Sequence, residues 1–112
     1  MKLAIVFLNK IEYLEELLSL FLEIGLTGAT VLDSVGMGHI VSESIPIFAG
    51  LRGAFAGSSP NKKVILAATS TEMVREMAKV LEDIGENEEG QKPGFLISLP
   101  IDSISGLAIP NG

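Results

Sequence analysis

An internal repeat limits what this chain can fold into more than any other feature of the sequence. In each half an apolar segment is followed by a helix-like segment that stops at Ile-Gly, first at Ile24-Gly25 and about sixty residues later at Ile84-Gly85. The predicted strands are Lys2 to Leu8, Thr30 to Val35, Lys63 to Thr69 and Gly94 to Ile101. A βαβ unit that occurs twice predicts the ferredoxin-like βαββαβ sandwich, an α+β fold with a four-stranded antiparallel sheet and both helices on one face.

The two predicted helices have the same design. Apolar side chains recur every three or four residues, at Ile11, Leu14, Leu17, Leu18, Phe21 and Leu22 in the first helix and at Met73, Val74, Met77, Ala78, Leu81 and Ile84 in the second. Two residue pairs have capping-box spacing at the helix starts, Asn9 with Glu12 and Thr69 with Glu72. We expect Gly25 to end the first helix in a left-handed conformation.

The first strand predicts that the sheet is covered on both sides. Lys2 to Leu8 is a continuous apolar run, which is typical of a central strand buried on both faces. The helices cover only one face, so a second subunit is expected on the other. Apolar residues make up 47% of the chain and charged residues only 20%, and such a low charge also favours an oligomer.

Composition excludes several classes of protein. A chain of 112 residues forms one domain, here 1–112. A net charge of −6 argues against nucleic-acid binding, and the absence of cysteine excludes disulfides and thiolate metal sites. No apolar run approaches the ~20 residues of a membrane span, and the N-terminal apolar segment is too short for a signal peptide. We expect a cytoplasmic protein that does not insert into a membrane.

The sequence offers little for catalysis. It contains one histidine, His39, and its carboxylates lie mostly at exposed helical positions. A Ser–His–Asp site would have to use His39 in a predicted loop. The protein is therefore expected not to be an enzyme, and His39, with only Glu43 nearby, is the one candidate metal ligand.

The segment 38–61 is predicted to be a long loop, because it has no regular apolar period and is rich in glycine and proline. Its apolar residues and one arginine are typical of interface anchors: Ile47, Phe48, Leu51, Arg52 and Phe55. One interpretation is that they bind a partner protein. The alternative is that they pack permanently over the sheet or a neighbouring subunit. The tail 102–112 is expected to be weakly structured.

Two glycine-containing turns predict an anion site. Gly36-Met37-Gly38 ends a strand and leaves backbone N–H groups open to a phosphate, whereas Gly90-Gln91-Lys92 combines a flexible turn with a positive charge.

The sequence resembles a known family in this region. Residues 23–31, Glu-Ile-Gly-Leu-Thr-Gly-Ala-Thr-Val, followed by Gly36-Met37-Gly38, resemble the nitrogen-regulatory PII signalling proteins. The resemblance covers about residues 2 to 101. It implies a homotrimer that binds ATP or ADP in clefts between subunits. It also implies that 38–61 is the T-loop, which reports the bound ligand to an effector such as an enzyme or a membrane transporter.

The resemblance also implies roles for individual residues. Thr30 corresponds to the threonine near the adenine, Gly36 and Gly38 to the glycines under the nucleotide, and Gly90 and Lys92 to part of the phosphate-binding turn. The expected ligands are AMP, ADP or ATP. Because Glu88 and Glu89 precede Gly90, each added phosphate increases repulsion, so AMP or ADP should bind better than ATP.

Two other ferredoxin-like modules remain open as alternatives. One is an ACT-type domain that senses amino acids, and the other is a CutA-like trimer that binds metal.

Overall fold

The structure, a computed structural model, describes residues 1–44, 62–86, 89–90 and 92–107. These contain four strands, β1 (Lys2–Leu8), β2 (Thr30–Ser34), β3 (Lys62–Thr69) and β4 (Gly94–Pro100), and three α-helices, α1 (Leu14–Glu23), α2 (Met37–Ser44) and α3 (Thr71–Ile84). A short 3₁₀ turn, Ile11–Tyr13, precedes α1. The predicted strands are confirmed to within one residue at each end.

The strands form one antiparallel sheet in the order β2-β3-β1-β4. This order and the two packed helices confirm the predicted ferredoxin-like fold. Because neighbouring strands are antiparallel, β1 and β2 end, and β3 and β4 begin, at the same end of the sheet, which we call the Gly36 end.

The core lies between the sheet and the helices α1 and α3. In the two central strands, β1 and β3, every second side chain points into the core and is buried, as the two-residue period of a strand requires. The buried core residues are Ala4, Val6, Leu8, Leu17, Phe21, Leu26, Ile65, Ala67, Met77 and Leu81. The two helices bury equivalent positions of the repeat, Leu17 and Phe21 in α1 and Met77 and Leu81 in α3.

The helix starts differ from the predicted capping boxes. The carbonyl of Pro93 accepts the backbone N–H groups of Asn9 (2.7 Å) and Lys10 (3.1 Å), which ties this segment to the start of β4. The first helical turn therefore begins later, at Ile11, without a side-chain cap. In the second half, Thr69 is buried as the last residue of β3, so Ser70 caps α3 instead, its hydroxyl accepting the N–H of Met73 at 3.1 Å.

The helices α1 and α3 both end at a glycine, but the two glycines have different backbone conformations. Gly25 has φ of +99°, which confirms the predicted left-handed cap. The N–H of Gly25 donates to Leu22 (3.0 Å) and that of Leu26 to Phe21 (2.9 Å), the two bonds of a Schellman motif. Gly85 instead has φ of −95°. A side chain there would crowd Pro93, because an added Cβ would lie 3.0 Å from the proline Cδ.

The second side of the sheet, which we call the open face, is almost entirely apolar. Side chains that pair directly across the strands share this face. Its apolar members are Leu3, Ile5, Phe7, Leu32, Val64, Leu66, Ala68, Phe95, Ile97 and Leu99, and its polar members are Thr30, Ser34 and Lys62. In a single chain Phe95, Ile97 and Leu99 are more than two-fifths exposed. The prediction that β1 is buried on both sides is therefore met on the helix side, while Leu3, Ile5 and Phe7 are only half-buried.

The predicted loop 38–61 begins as a helix. Its first seven residues belong to α2, which starts at Met37 directly after Gly36. The remainder, 45–61, lies outside the described residues. None of the helices in the described part of the chain is long and apolar enough to cross a membrane.

We predict that Gly94→Ala destabilises the fold. An added Cβ would lie 3.2 Å from the Cα of Leu8 and closer still to the carbonyl oxygen of Phe7, and backbone atoms within the sheet have little room to move. We expect the free energy of unfolding, measured by urea denaturation, to fall by about 1–3 kcal/mol, as for an overpacked core. Gly28→Ala is the matched control, since an added Cβ there meets no atom within 4 Å. Equal stability of the two variants would contradict the close approach of β1 and β4.

Candidate functional site

The cavity most suited to an anionic ligand lies at the Gly36 end of the sheet, on the open face. Its volume is about 240 Å³. The residues that line it are Phe7, Leu8, Asn9, Ser34, Val35, Gly36, Lys62, Lys63, Val64 and Phe95. They come from the end of β1, the end of β2, the start of β3 and the start of β4, so the sheet topology alone brings them together.

A lysine lies directly over Gly36. The Nζ of Lys62 would be 3.1 Å from a Cβ added at Gly36, so the ammonium group occupies the space that a side chain would need. The Gly36 carbonyl accepts the N–H groups of His39 (3.1 Å) and Ile40 (3.3 Å), which makes it the residue that opens α2. The first N–H groups of a helix, here those of Met37 and Gly38, have no intrahelical acceptor.

The charges around this cavity are positive, although the chain as a whole is acidic. The ammonium of Lys62 lies beside the N-terminus of α2, and a helix N-terminus carries a partial positive charge. An ion pair joins Lys63 to Asp33 and leaves Lys62 outside it. Two other cavities in the described residues have different charges, one with Lys92 and Glu82 and one with Glu72 and Glu76. In contrast to these two cavities, the Gly36 cavity is lined by lysines and by no carboxylate.

The predicted site residues separate into three places. Gly36, Met37 and Gly38 lie together at the start of α2. Thr30 is on the open face but at the other end of β2, roughly 20 Å away at the rise of an extended strand. Gly90 and Lys92 also lie at the Gly36 end, but they precede β4, the edge strand opposite β2. One chain therefore does not assemble all six residues around one ligand.

Lys92 has a structural partner. Its Nζ donates to the carbonyl of Gly85 at 3.0 Å, and a cation at the C-terminus of a helix is favourable. It also lines a cavity of about 340 Å³ between α3 and β4, together with Leu81, Glu82 and Phe95. Gly90 has φ of +90° and is exposed. A phosphate bound by Lys92 would have to compete with this carbonyl.

Several residues of the cavity were not predicted from the sequence. Lys62 belongs to the only basic pair of the chain, but the pair alone does not show which lysine faces Gly36. Phe7 and Phe95 were interpreted as strand residues, and they form a stacked pair with ring centroids 4.8 Å apart. The missing information is the strand register, which pairs Phe7 with Phe95 and Ser34 with Lys62.

The remaining predicted residues are those of the partner-binding loop and the candidate metal ligand His39. The loop residues proposed for partner binding, Ile47, Phe48, Leu51, Arg52 and Phe55, are outside the described residues. His39 lies in α2, and no group of three or more His, Cys, Asp or Glu residues that could hold a metal occurs in the described ranges.

Comparison with known proteins identifies the fold. No family model matches the sequence, and no curated protein matches it either. Among solved structures, the chain is similar to CPII from Thiomonas intermedia K12, which was solved bound to ADP, AMP and acetate. The two sequences are 16% identical, the match covers 87% of this chain and 81% of that chain, and the TM-score is 0.57. The chain therefore has the fold of the PII proteins with a strongly divergent sequence.

Proposed function

We propose that this protein is a PII-like regulator: a homotrimer that binds an adenine nucleotide in clefts between subunits and acts on a partner protein through the segment 38–61. In this proposal the protein is not an enzyme. The observation that carries it is the cavity at the Gly36 end, where lysines and a helix N-terminus lie beside aromatic side chains. The similar fold of a protein solved with ADP and AMP supports the choice of nucleotide.

A phosphate group matches the charges of the cavity. The Lys62 ammonium and the N-terminus of α2 are both positive and lie side by side, so in the absence of an anion they repel each other. A phosphate between them would accept hydrogen bonds from the ammonium and from the N–H groups of Met37 and Gly38. Gly36 offers no side chain that could cap these N–H groups in place of a ligand.

The position of Thr30 supports a site shared between two chains. Thr30 lies at the opposite end of β2 from Gly36, so within one chain the two residues cannot contact one small ligand. A neighbouring subunit can bring its Thr30 to the cavity. The cavity of about 240 Å³ is also smaller than most ligand sites, which is consistent with a cleft completed by a second chain.

The open face supports the oligomer. It carries ten apolar side chains, and its polar residues are Thr30, Ser34 and Lys62, whereas monomeric proteins rarely expose a contiguous apolar patch of this kind. Covering it with other subunits removes this apolar surface from water, and hydrophobic burial is the main favourable contribution to association.

In this proposal the segment 38–61 responds to the ligand through α2. It begins in α2, whose first residue follows Gly36, so a phosphate at this helix start would influence how the segment leaves the sheet. Met37 is 75% exposed and Ile40 is 47% exposed on α2, which leaves apolar surface for a partner. The partner in this proposal is an enzyme or a membrane transporter.

We predict that light scattering gives about three times the chain mass of 11.8 kDa. Ile97→Asp should break the oligomer, because it places a carboxylate within the apolar open face. Leu22→Asp is the matched control: Leu22 is 61% exposed on α1, against 46% for Ile97, but does not lie on the open face. A wild-type monomer at micromolar concentration, or equal effects of the two substitutions, would contradict the proposed interface.

We predict that calorimetric titration detects binding of AMP and ADP. Lys62→Ala should weaken AMP binding about 10- to 100-fold, because a charge-assisted hydrogen bond contributes roughly 1.5–3 kcal/mol. Lys79→Ala, an exposed lysine of α3, is the control and should leave the affinity unchanged. Tight ATP binding that survives Lys62→Ala would show that the nucleotide binds elsewhere.

A further inference from the structure

The cavity that contains Glu72 and Glu76 lies at the opposite end of the sheet from Gly36. Its volume is about 380 Å³. The connection 24–28 before β2, the end of β3 and the first turns of α3 enclose it. None of its lining residues belongs to the Gly36 cavity, so the two cavities are separate candidate sites.

A largely buried hydroxyl group faces this cavity. Thr69 is the last residue of β3, in the core-facing row with Ile65 and Ala67, and it is only 4% exposed. Its hydroxyl makes no hydrogen bond to any residue of the described ranges. No side-chain oxygen or nitrogen in this part of the chain is both fully enclosed and without a partner, so the hydroxyl keeps access to the cavity that Thr69 lines. A ligand in the cavity can supply the missing hydrogen bond.

The charge at the mouth of the cavity is negative. Glu72 and Glu76 are exposed, and they lie one helical turn apart on α3. Neither carboxylate forms an ion pair with a described residue, and no lysine or arginine is among the described residues that line the cavity. Like charges four residues apart on a helix repel each other. A cation bound beside both carboxylates would remove this repulsion.

The rest of the wall is largely apolar and can adapt to a ligand. It includes Ile24, Leu26, Ala68 and Met73. The methyl group of Met73 lies over Gly25, since a Cβ added at Gly25 would be 3.7 Å from it. A methionine side chain has three rotatable bonds and tolerates contacts of different shape. An aliphatic chain therefore matches this part of the wall.

We propose that this cavity binds a small aliphatic cation, an amino alcohol, at a site separate from the proposed nucleotide site. Its ammonium group lies beside Glu72 and Glu76, its methylene groups cover Met73, and its hydroxyl pairs with the hydroxyl of Thr69. A neutral group is favoured at Thr69, because a second charge beside a largely buried residue would be costly to desolvate. Thr69 faces the helices whereas Thr30 lies on the open face, so the two sites are on opposite sides of the sheet.

The first experiment removes one group of the ligand at a time. Linear amino alcohols of three to six carbons are titrated into the wild-type protein by NMR, and the tightest is compared with the alkylamine and the alcohol of the same length. We expect each of these two compounds to bind about 2- to 10-fold more weakly, as the loss of one neutral hydrogen bond or one exposed ion pair predicts. Equal affinity of the amino alcohol and the alkylamine, or no binding by any amino alcohol of the series, overturns the proposal.

The second experiment changes the protein. Thr69→Val keeps the shape of the side chain, and it should bind the amino alcohol and the alkylamine equally. Thr71→Val, the same change at an exposed position of α3, should still distinguish them. The double variant Glu72→Gln and Glu76→Gln should weaken amino-alcohol binding about 2- to 10-fold. Glu15→Gln with Glu16→Gln on α1 changes the net charge equally and should not, so equal effects of the two double variants contradict the site.

A measurement on the wild-type protein does not depend on how well a variant folds. The methyl resonance of Met73 should shift as the amino alcohol is added, because the methylene groups of the ligand cover this side chain. The methyl resonance of Met77, which is fully buried in the core, is the internal control. Binding that leaves the Met73 resonance unchanged overturns the proposed site.

Discussion

The pairing of β1 with β3 on one side and β4 on the other determines both the core and the candidate site. Side chains alternate along a strand, so this register sends Ala4, Val6 and Leu8 to the helices and Phe7 to the open face. A shift by one residue would exchange the two faces completely. Gly94 supports the register, because only glycine fits where the start of β4 meets the backbone of Phe7 and Leu8.

The Gly36 end combines features that stability alone does not require. A lysine over a glycine, next to the start of a helix, places like charges together. Elsewhere the same fold pairs its charges, as Lys63 pairs with Asp33 and as Lys92 caps the end of α3. A bound anion would relieve this repulsion, which is why the proposed ligand site is located here. Thr30 and Gly36 lie at opposite ends of β2, so the proposed site takes these two residues from different chains.

Much of the fold followed from the sequence because its signals are local. The repeat, the helical periods and the glycine after Ile24 predicted the strands, the helices α1 and α3 and the left-handed end of α1. They did not predict α2, most of which lies in the predicted loop. Gly36-Met37-Gly38 was predicted as a turn at the end of a strand, but in the structure Met37 and Gly38 begin the helix α2. Contacts between residues that are distant in the sequence were not predicted. The contacts of Lys62 with Gly36 and of Phe7 with Phe95 follow only from the strand register. The predicted caps failed because Pro93 and the burial of Thr69 override local spacing.

In the proposed oligomer one nucleotide site is built from two chains, and subunit mixing tests this most directly. Lys62→Ala and Thr30→Val remove groups from opposite ends of β2, so each pure oligomer should bind AMP weakly. When the two are denatured together and refolded at equal amounts, about a quarter of head-to-tail interfaces should combine an intact Lys62 with an intact Thr30. Titration should then recover wild-type affinity at about that fraction of sites. If mixing restores no tight site, while each variant alone still forms the oligomer, the ligand is not shared between chains.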